Sequence, residues 1–188
     1  VQHAGVELAG VELAAVELSA LELADIHRPD HLPLSFGQQR LWFLQQLDGG
    51  LAYHMPSALR LRGPLQRDWL RSALDRVVAR HEILRTRFVA HGDEVEQVID
   101  PATTICTLQE LDWRNLAADQ QQALLASLQQ QQVQQPFDLA SGPLLRVQLI
   151  CLREDEHILL LTKHHIISDG WSVNLLVREV GALYAAHH

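Results

Sequence analysis

Cysteine is scarce in this chain of 188 residues, where only Cys106 and Cys151 occur. Both stand inside apolar, strand-like runs without a CxxC or Cys/His spacing. That pattern reads as two reduced core residues, which fits a cytoplasmic compartment. Long hydrophobic runs are missing as well: none approaches the ~18–20 residues needed to span a membrane. No positively charged start followed by an apolar segment marks a secretory signal. Cations are outnumbered, with 15 Lys and Arg against 23 Asp and Glu and a net charge of -8. With no Lys/Arg-rich run either, nucleic acid is excluded as a partner. What is present is 47% hydrophobic and 20% charged residues, a globular composition long enough for one substantial core or one large lobe. The first residue is Val, so the chain is expected to be a piece of something longer.

The chemistry concentrates in Lys163 to Ser172, KHHIISDGWS. An apolar run, His157 to Thr162, leads in, and an amphipathic run, Val173 to Tyr184, leads away. This predicts a strand, a tight polar turn and a helix, with the polar residues at the junction. Successive side chains of a strand point to opposite faces, so only one of His164 and His165 is expected to line any one cavity. A neutral imidazole there can take or position a proton near neutral pH. Asp169, just ahead of the helix, can cap it or pair with an arginine. Gly170 permits a close backbone approach. Two adjacent histidines facing opposite ways are poor geometry for a single metal ion.

In chain order, residues 6–25 hold four approximate five-residue repeats, VELAG, VELAA, VELSA and LELAD. They suit a linker better than a packed fold, and the HRPD at 27–30 marks a boundary. Residues 1–30 are therefore read as an extension and 31–188 as the functional lobe. Ser35 is the expected N-cap of a helix from Phe36 to Leu47, closed by Asp48-Gly49-Gly50. A strand is expected from Tyr53 to Arg62 and a helix from Arg67 to His81, with Leu70, Leu74, Val77 and Val78 on its apolar side. A strand from Ile83 to Val89 would put Arg85 and Arg87 on one face, with Arg87 serving solvent. Further strands are expected at 94–99 and 104–109. Asn115 to Gln135 reads as a helix with nine glutamines on a solvated face. Leu144–Leu152 and the Ile158 run then form an antiparallel hairpin. The sum is α+β with a mixed, largely antiparallel sheet.

Three ordered stretches carry a family resemblance: LSFGQQRLWFL at 34–44, RHEILRTRF at 80–88 and KHHIISDGWS at 163–172. PFDLASGPLLR at 136–146 lies between them. Residues 31–188 resemble the N-terminal half of a condensation domain of nonribosomal peptide synthetases, an HHxxxDG acyltransferase. The resemblance implies one chloramphenicol acetyltransferase-like lobe of a two-lobed protein. Donor and acceptor peptidyl carrier proteins would present 4'-phosphopantetheine arms at opposite mouths of a tunnel between the lobes, with no cofactor bound directly. It makes His165 the catalytic histidine, as base or as hydrogen-bonding anchor for the acceptor amine, and His164 a packed support. Gly170 would offer a backbone N–H to the thioester oxygen or oxyanion. Asp169 would be structural, held by Arg80, by Arg85 or by an arginine outside this chain. Trp171 and Ser172 complete the motif as supporting residues. Ser35, Gln38, Arg40 and Trp42 would be scaffold, Trp42 a core residue.

The family's C-terminal lobe has no counterpart in these residues. The resemblance therefore implies a chain inactive by itself, with apolar surface through which it could form a non-native homodimer. Within the superfamily, heterocyclisation is disfavoured because both histidines are present. Epimerisation, ester formation and direct use of coenzyme A thioesters stay open. From a different class, a non-catalytic docking module for carrier proteins is the competing reading.

Overall fold

The computed structural model describes residues 31–92 and 94–187, apart from the side chains of Asp48 and Trp171. The five-residue repeats lie outside the described residues. Eleven regular elements follow one another: β1 (Leu32–Pro33), α1 (Phe36–Asp48), β2 (His54–Arg62), α2 (Arg67–Arg80), β3 (Thr86–His91), β4 (Glu94–Ile99), β5 (Leu108–Asp112), α3 (Ala118–Gln134), β6 (Leu145–Arg153), β7 (Glu156–His164) and α4 (Gly170–Ala185). They build two sheets. One is three-stranded, β1-β4-β3, and the other four-stranded, β2-β7-β6-β5. Every pairing is antiparallel except β5 with β6. The class is α+β with mixed sheets, as the sequence leads one to expect.

The larger sheet carries the site, and it is covered on both faces. Leu145, Val147 and Leu149 of β6 join Leu159 and Leu161 of β7 in a core shared with Leu70, Leu74 and Val77 of α2 and Leu176 and Val180 of α4. On the reverse face Ile150, Leu152, Ile158 and Leu160 pack with Leu125 and Leu128 of α3. A strand with both faces buried favours apolar residues at most positions, so β6 and β7 are rich in Leu, Ile and Val, with Gln148, Thr162 and Lys163 buried among them. The α3 helix keeps most of its glutamines in water, but Gln132 is buried, and Gln121 donates to the carbonyls of Trp113 and Leu152. Both cysteines are free and buried, and burial pushes the Cys106 thiol up to about 12.

The N-terminal helix starts where its cap dictates. The Ser35 hydroxyl accepts from the Gln38 N–H while the Gln38 side chain accepts from the Ser35 N–H, a capping box. It ends at Gly49 and Gly50, both left-handed with φ of 76° and 66°.

The strand expected from Ile83 begins later. Glu82–Arg85 is a 3-10 turn, in which the Leu84 N–H bonds the His81 carbonyl and the Thr86 hydroxyl bonds the Glu82 carbonyl. Arg85 therefore does not share a strand face with Arg87. Nor does Arg87 simply face solvent: its guanidinium grips Asp100 at 2.9 Å and the Ala140 carbonyl at 3.0 Å. The short strand expected at 104–109 is β5, displaced to Leu108–Asp112 because its partner is the parallel edge of β6.

Candidate active site

The strand β7 ends at His164, and the chain turns at once through a 3-10 helix, His165–Ile167, into α4. The two histidines consequently diverge in environment. His164 is completely buried, ringed by Tyr53, His54 and Phe137 at centroid distances of 6.4, 5.9 and 6.2 Å. His165 is exposed. They part because one closes a strand and the other opens a turn, rather than through simple strand alternation.

Their hydrogen bonds assign both tautomers. The backbone N–H of Ile166 donates to Nδ1 of His164 at 3.1 Å. That nitrogen must carry a lone pair, so the ring proton sits on Nε2, 3.2 Å from Oε1 of Gln45. The Gln45 amide is fixed in turn, since its NH2 donates to the Phe137 carbonyl at 3.2 Å. Burial first, then the neighbouring His54 and His165, lowers the pKa of His164 to about 4. His164 is thus a neutral ring with both nitrogens engaged. His165 is the reverse case. Its Nδ1 lies 2.6 Å from the Ser168 carbonyl, an acceptor only, so Nδ1 holds the proton. The lone pair of the neutral ring is then on Nε2. A histidine held this way can accept a proton from a bound group.

Asp169 caps α4. One carboxylate oxygen accepts from the Ser172 N–H at 2.8 Å and from the Ser172 hydroxyl at 2.5 Å. Gly170 opens the helix, exposed, with nothing within 4 Å of where a side chain would begin. Its N–H belongs to the first turn, whose donors the helix itself leaves untaken. Removing the cap with Asp169→Ala should lower stability by about 1 kcal/mol. In urea unfolding, Asp169→Asn, which keeps an acceptor, should lose less.

The arginines expected to hold Asp169 are engaged or placed elsewhere. Arg85 donates to the Asp100 carbonyl and lies 3.7 Å from Glu82. Arg80 is exposed in the last turn of α2, where a cation suits the helix dipole. A buried cation coupled to Asp169 is Lys163, 1% exposed. Burial lowers the Lys163 pKa and Asp169 opposes that shift. Trp171 lies in the first turn of α4 and its side chain is outside the described part. Trp42 is half-buried against the main core and lines a cavity of about 320 Å³ with Gln45, Phe88 and Phe137.

Sequence reasoning missed four contributors. The Ser168 carbonyl is invisible to it, because any residue supplies one. Gln45 stands just past the first motif, and its role follows only from α1 lying beside the turn. His54 faces His164 across the β2–β7 ladder. Its Nδ1 lies 2.7 Å from the Val133 carbonyl, and its ring meets Phe137 edge-on at 4.9 Å. Arg146 stacks its guanidinium 3.7 Å over the Phe137 ring and donates to the Gln135 and Pro136 carbonyls, fastening the loop that Gln45 also holds.

His165, with its ring lone pair on Nε2, thus stands in the turn that leads into the N-terminus of α4 on an α+β lobe. The sequence model of the Condensation domain matches residues 28–188, and the chain belongs to that family. It is 47% identical over 163 residues to malpibaldin synthetase of Mortierella alpina, covering 86% of this chain and 3% of that protein. To phosphinothricin tripeptide synthetase PhsC of Streptomyces viridochromogenes it is 45% identical over 163 residues, covering 85% and 15%. Among solved structures, the starter condensation domain of rhizomide synthetase RzmA superposes with a TM-score of 0.75 at 27% identity, over 84% of this chain and 38% of that one. The X-domain from teicoplanin biosynthesis gives 0.72 at 35%, over 86% and 34%. A variant of the rhizomide domain in complex with C8-CoA gives 0.75 at 27%, over 83% and 36%. The chain thus spans about a third of these solved chains and a small part of the two synthetases.

Proposed function

We propose that this chain supplies the histidine-bearing lobe of a condensation domain that forms amide bonds in nonribosomal peptide synthesis. The observation that carries the reading is the pair of opposite tautomers: His164 is locked neutral while His165 offers an exposed Nε2 lone pair. The acceptor, an aminoacyl group on one carrier protein, brings its amine to Nε2 of His165. As the amine nitrogen bonds to the donor's thioester carbon, its proton passes to Nε2. The carbonyl oxygen, becoming negative, lies toward the Gly170 N–H and the N-terminal end of α4. When the C–S bond breaks, the proton returns to the leaving thiolate of the donor's phosphopantetheine arm. The lengthened chain then sits on the acceptor carrier.

The kinship with peptide synthetases supports this substrate class. The C8-CoA complex of a structural relative supports a thioester on a pantetheine arm. The helix α1 turns Phe36, Phe43 and Leu47 outward, 91%, 58% and 67% exposed. The remaining lobe of the domain covers this stripe, and the isolated chain would pair with itself there instead. A cytoplasmic setting, with Cys106 and Cys151 reduced, belongs to the same reading. Among the described residues no helix is long and apolar enough to cross a membrane.

The test is a transfer assay with the complete condensation domain and two loaded carriers, read by mass spectrometry of the acceptor arm. Amide product on the acceptor carrier supports the reading. Carrier binding without transfer would favour a docking module. Turnover by the 188-residue chain alone would overturn the two-lobe requirement.

A further inference from the structure

The tautomer of His165 is set locally by Ser168, but the turn that brings the two together is anchored elsewhere. Its first internal N–H, that of Ile166, is taken by Nδ1 of His164. Nδ1 can accept only while the ring proton stays on Nε2, and the partner that holds it there is Oε1 of Gln45. Gln45 comes from α1, more than a hundred residues away in sequence, and its amide is oriented by the Phe137 carbonyl. One further feature serves this reach. Gly50, at φ 66°, folds back over the end of α1, and a Cβ there would lie 1.5 Å from Oε1 of Gln45. Any side chain at position 50 would displace the amide from His164.

We propose that Gln45 is a positioning residue for the reaction, acting through His164 to hold the 3-10 turn in which His165 meets the Ser168 carbonyl, with Gly50 keeping its path clear. The proposal rests on the assignment of His165 as the base of amide formation. Without Gln45, the Nε2–H of a fully buried ring has no acceptor. The ring relieves this by moving its proton to Nδ1, which evicts the Ile166 N–H. The turn opens, the Ser168 carbonyl leaves His165, and Nε2 of His165 no longer presents a fixed lone pair.

Two readouts test this. Imidazole nitrogen NMR on the ¹⁵N-histidine-labelled 188-residue chain follows the tautomers whether or not the chain is active. Steady-state transfer in the complete condensation domain follows the chemistry. Gln45→Met keeps the length of the side chain and removes its amide. It should take His165 out of the Nδ1–H form and lower kcat at least tenfold, with KM for the loaded acceptor carrier within twofold. Gly50→Ala should move the same signals. Gln45→Glu keeps an acceptor for His164 and should return His165 to the Nδ1–H form. If Gln45→Met leaves both histidine tautomers unchanged, the proposal is wrong, even if the melting temperature falls. An inactive wild-type domain whose tautomers respond as described would sink the functional reading and leave the positioning role standing.

Discussion

In the complete condensation domain, His165→Ala should slow amide formation by about a hundred- to ten-thousand-fold, the span that a positioned general base contributes. The structure separates this loss from any loss of fold. His165 is exposed, and its ring makes one hydrogen bond, to the Ser168 carbonyl. Truncation leaves the Ser168 carbonyl of a buried residue without this donor, so stability should fall by only about 1 kcal/mol. Single-turnover transfer between two loaded carriers measures the rate, and urea unfolding measures the fold. His164→Ala is the contrasting variant. It deletes a fully buried ring and leaves the Gln45 amide and the Ile166 N–H without their partner, so it should lower stability as well as slow transfer.

The second large effect is a loss of stability in acid that originates at His164. In the folded chain its pKa is lowered from 6.5 to about 4, so the unfolded chain binds this proton more readily than the folded one. The stability contributed is fully present above about pH 6.5 and is lost as pH falls from there through about 4. The lowering corresponds to about 3 kcal/mol. His54 and His157 are also lowered, burial being the first cause in each, and they steepen the decline in the same direction. Urea unfolding at pH 7 and pH 4 should show the full decline in the wild type and a shallower one in His164→Gln. Equal declines in the two proteins would remove His164 as the cause.

The regular elements were legible wherever one local cause sets them. The Ser35–Gln38 capping box, the glycine stop of α1 and the β6–β7 hairpin all lie within a few residues of their own signals. The beginning of β3 was not legible, because Ile83, Leu84 and Arg85 alternate as a strand would while Thr86 and Leu84 close a turn on Glu82 and His81. The position of β5 depends on the parallel edge of β6, a contact across about forty residues that no local pattern records.

At the site the split follows the same line. KHHIISDGWS marks the histidines, Asp169 as a cap and Gly170 at the helix start. What makes the histidines different arrives from outside the motif: a Ser168 carbonyl any residue could supply, a glutamine from α1, and the burial of His164 under Phe137, His54 and Tyr53. The arginine expected for Asp169 came from the resemblance. In the structure a buried charge coupled to that carboxylate is on Lys163, within the motif itself, where its place in an apolar strand was the signal to notice.

The most direct test of the account is the protonation pattern of the adjacent rings. Imidazole nitrogen NMR of the wild-type chain at neutral pH should show His165 with its proton on Nδ1 and His164 with its proton on Nε2, His164 staying neutral until the pH nears 4. Finding His165 in the Nε2–H form, or His164 charged at pH 6, would contradict the division of labour on which the mechanism stands.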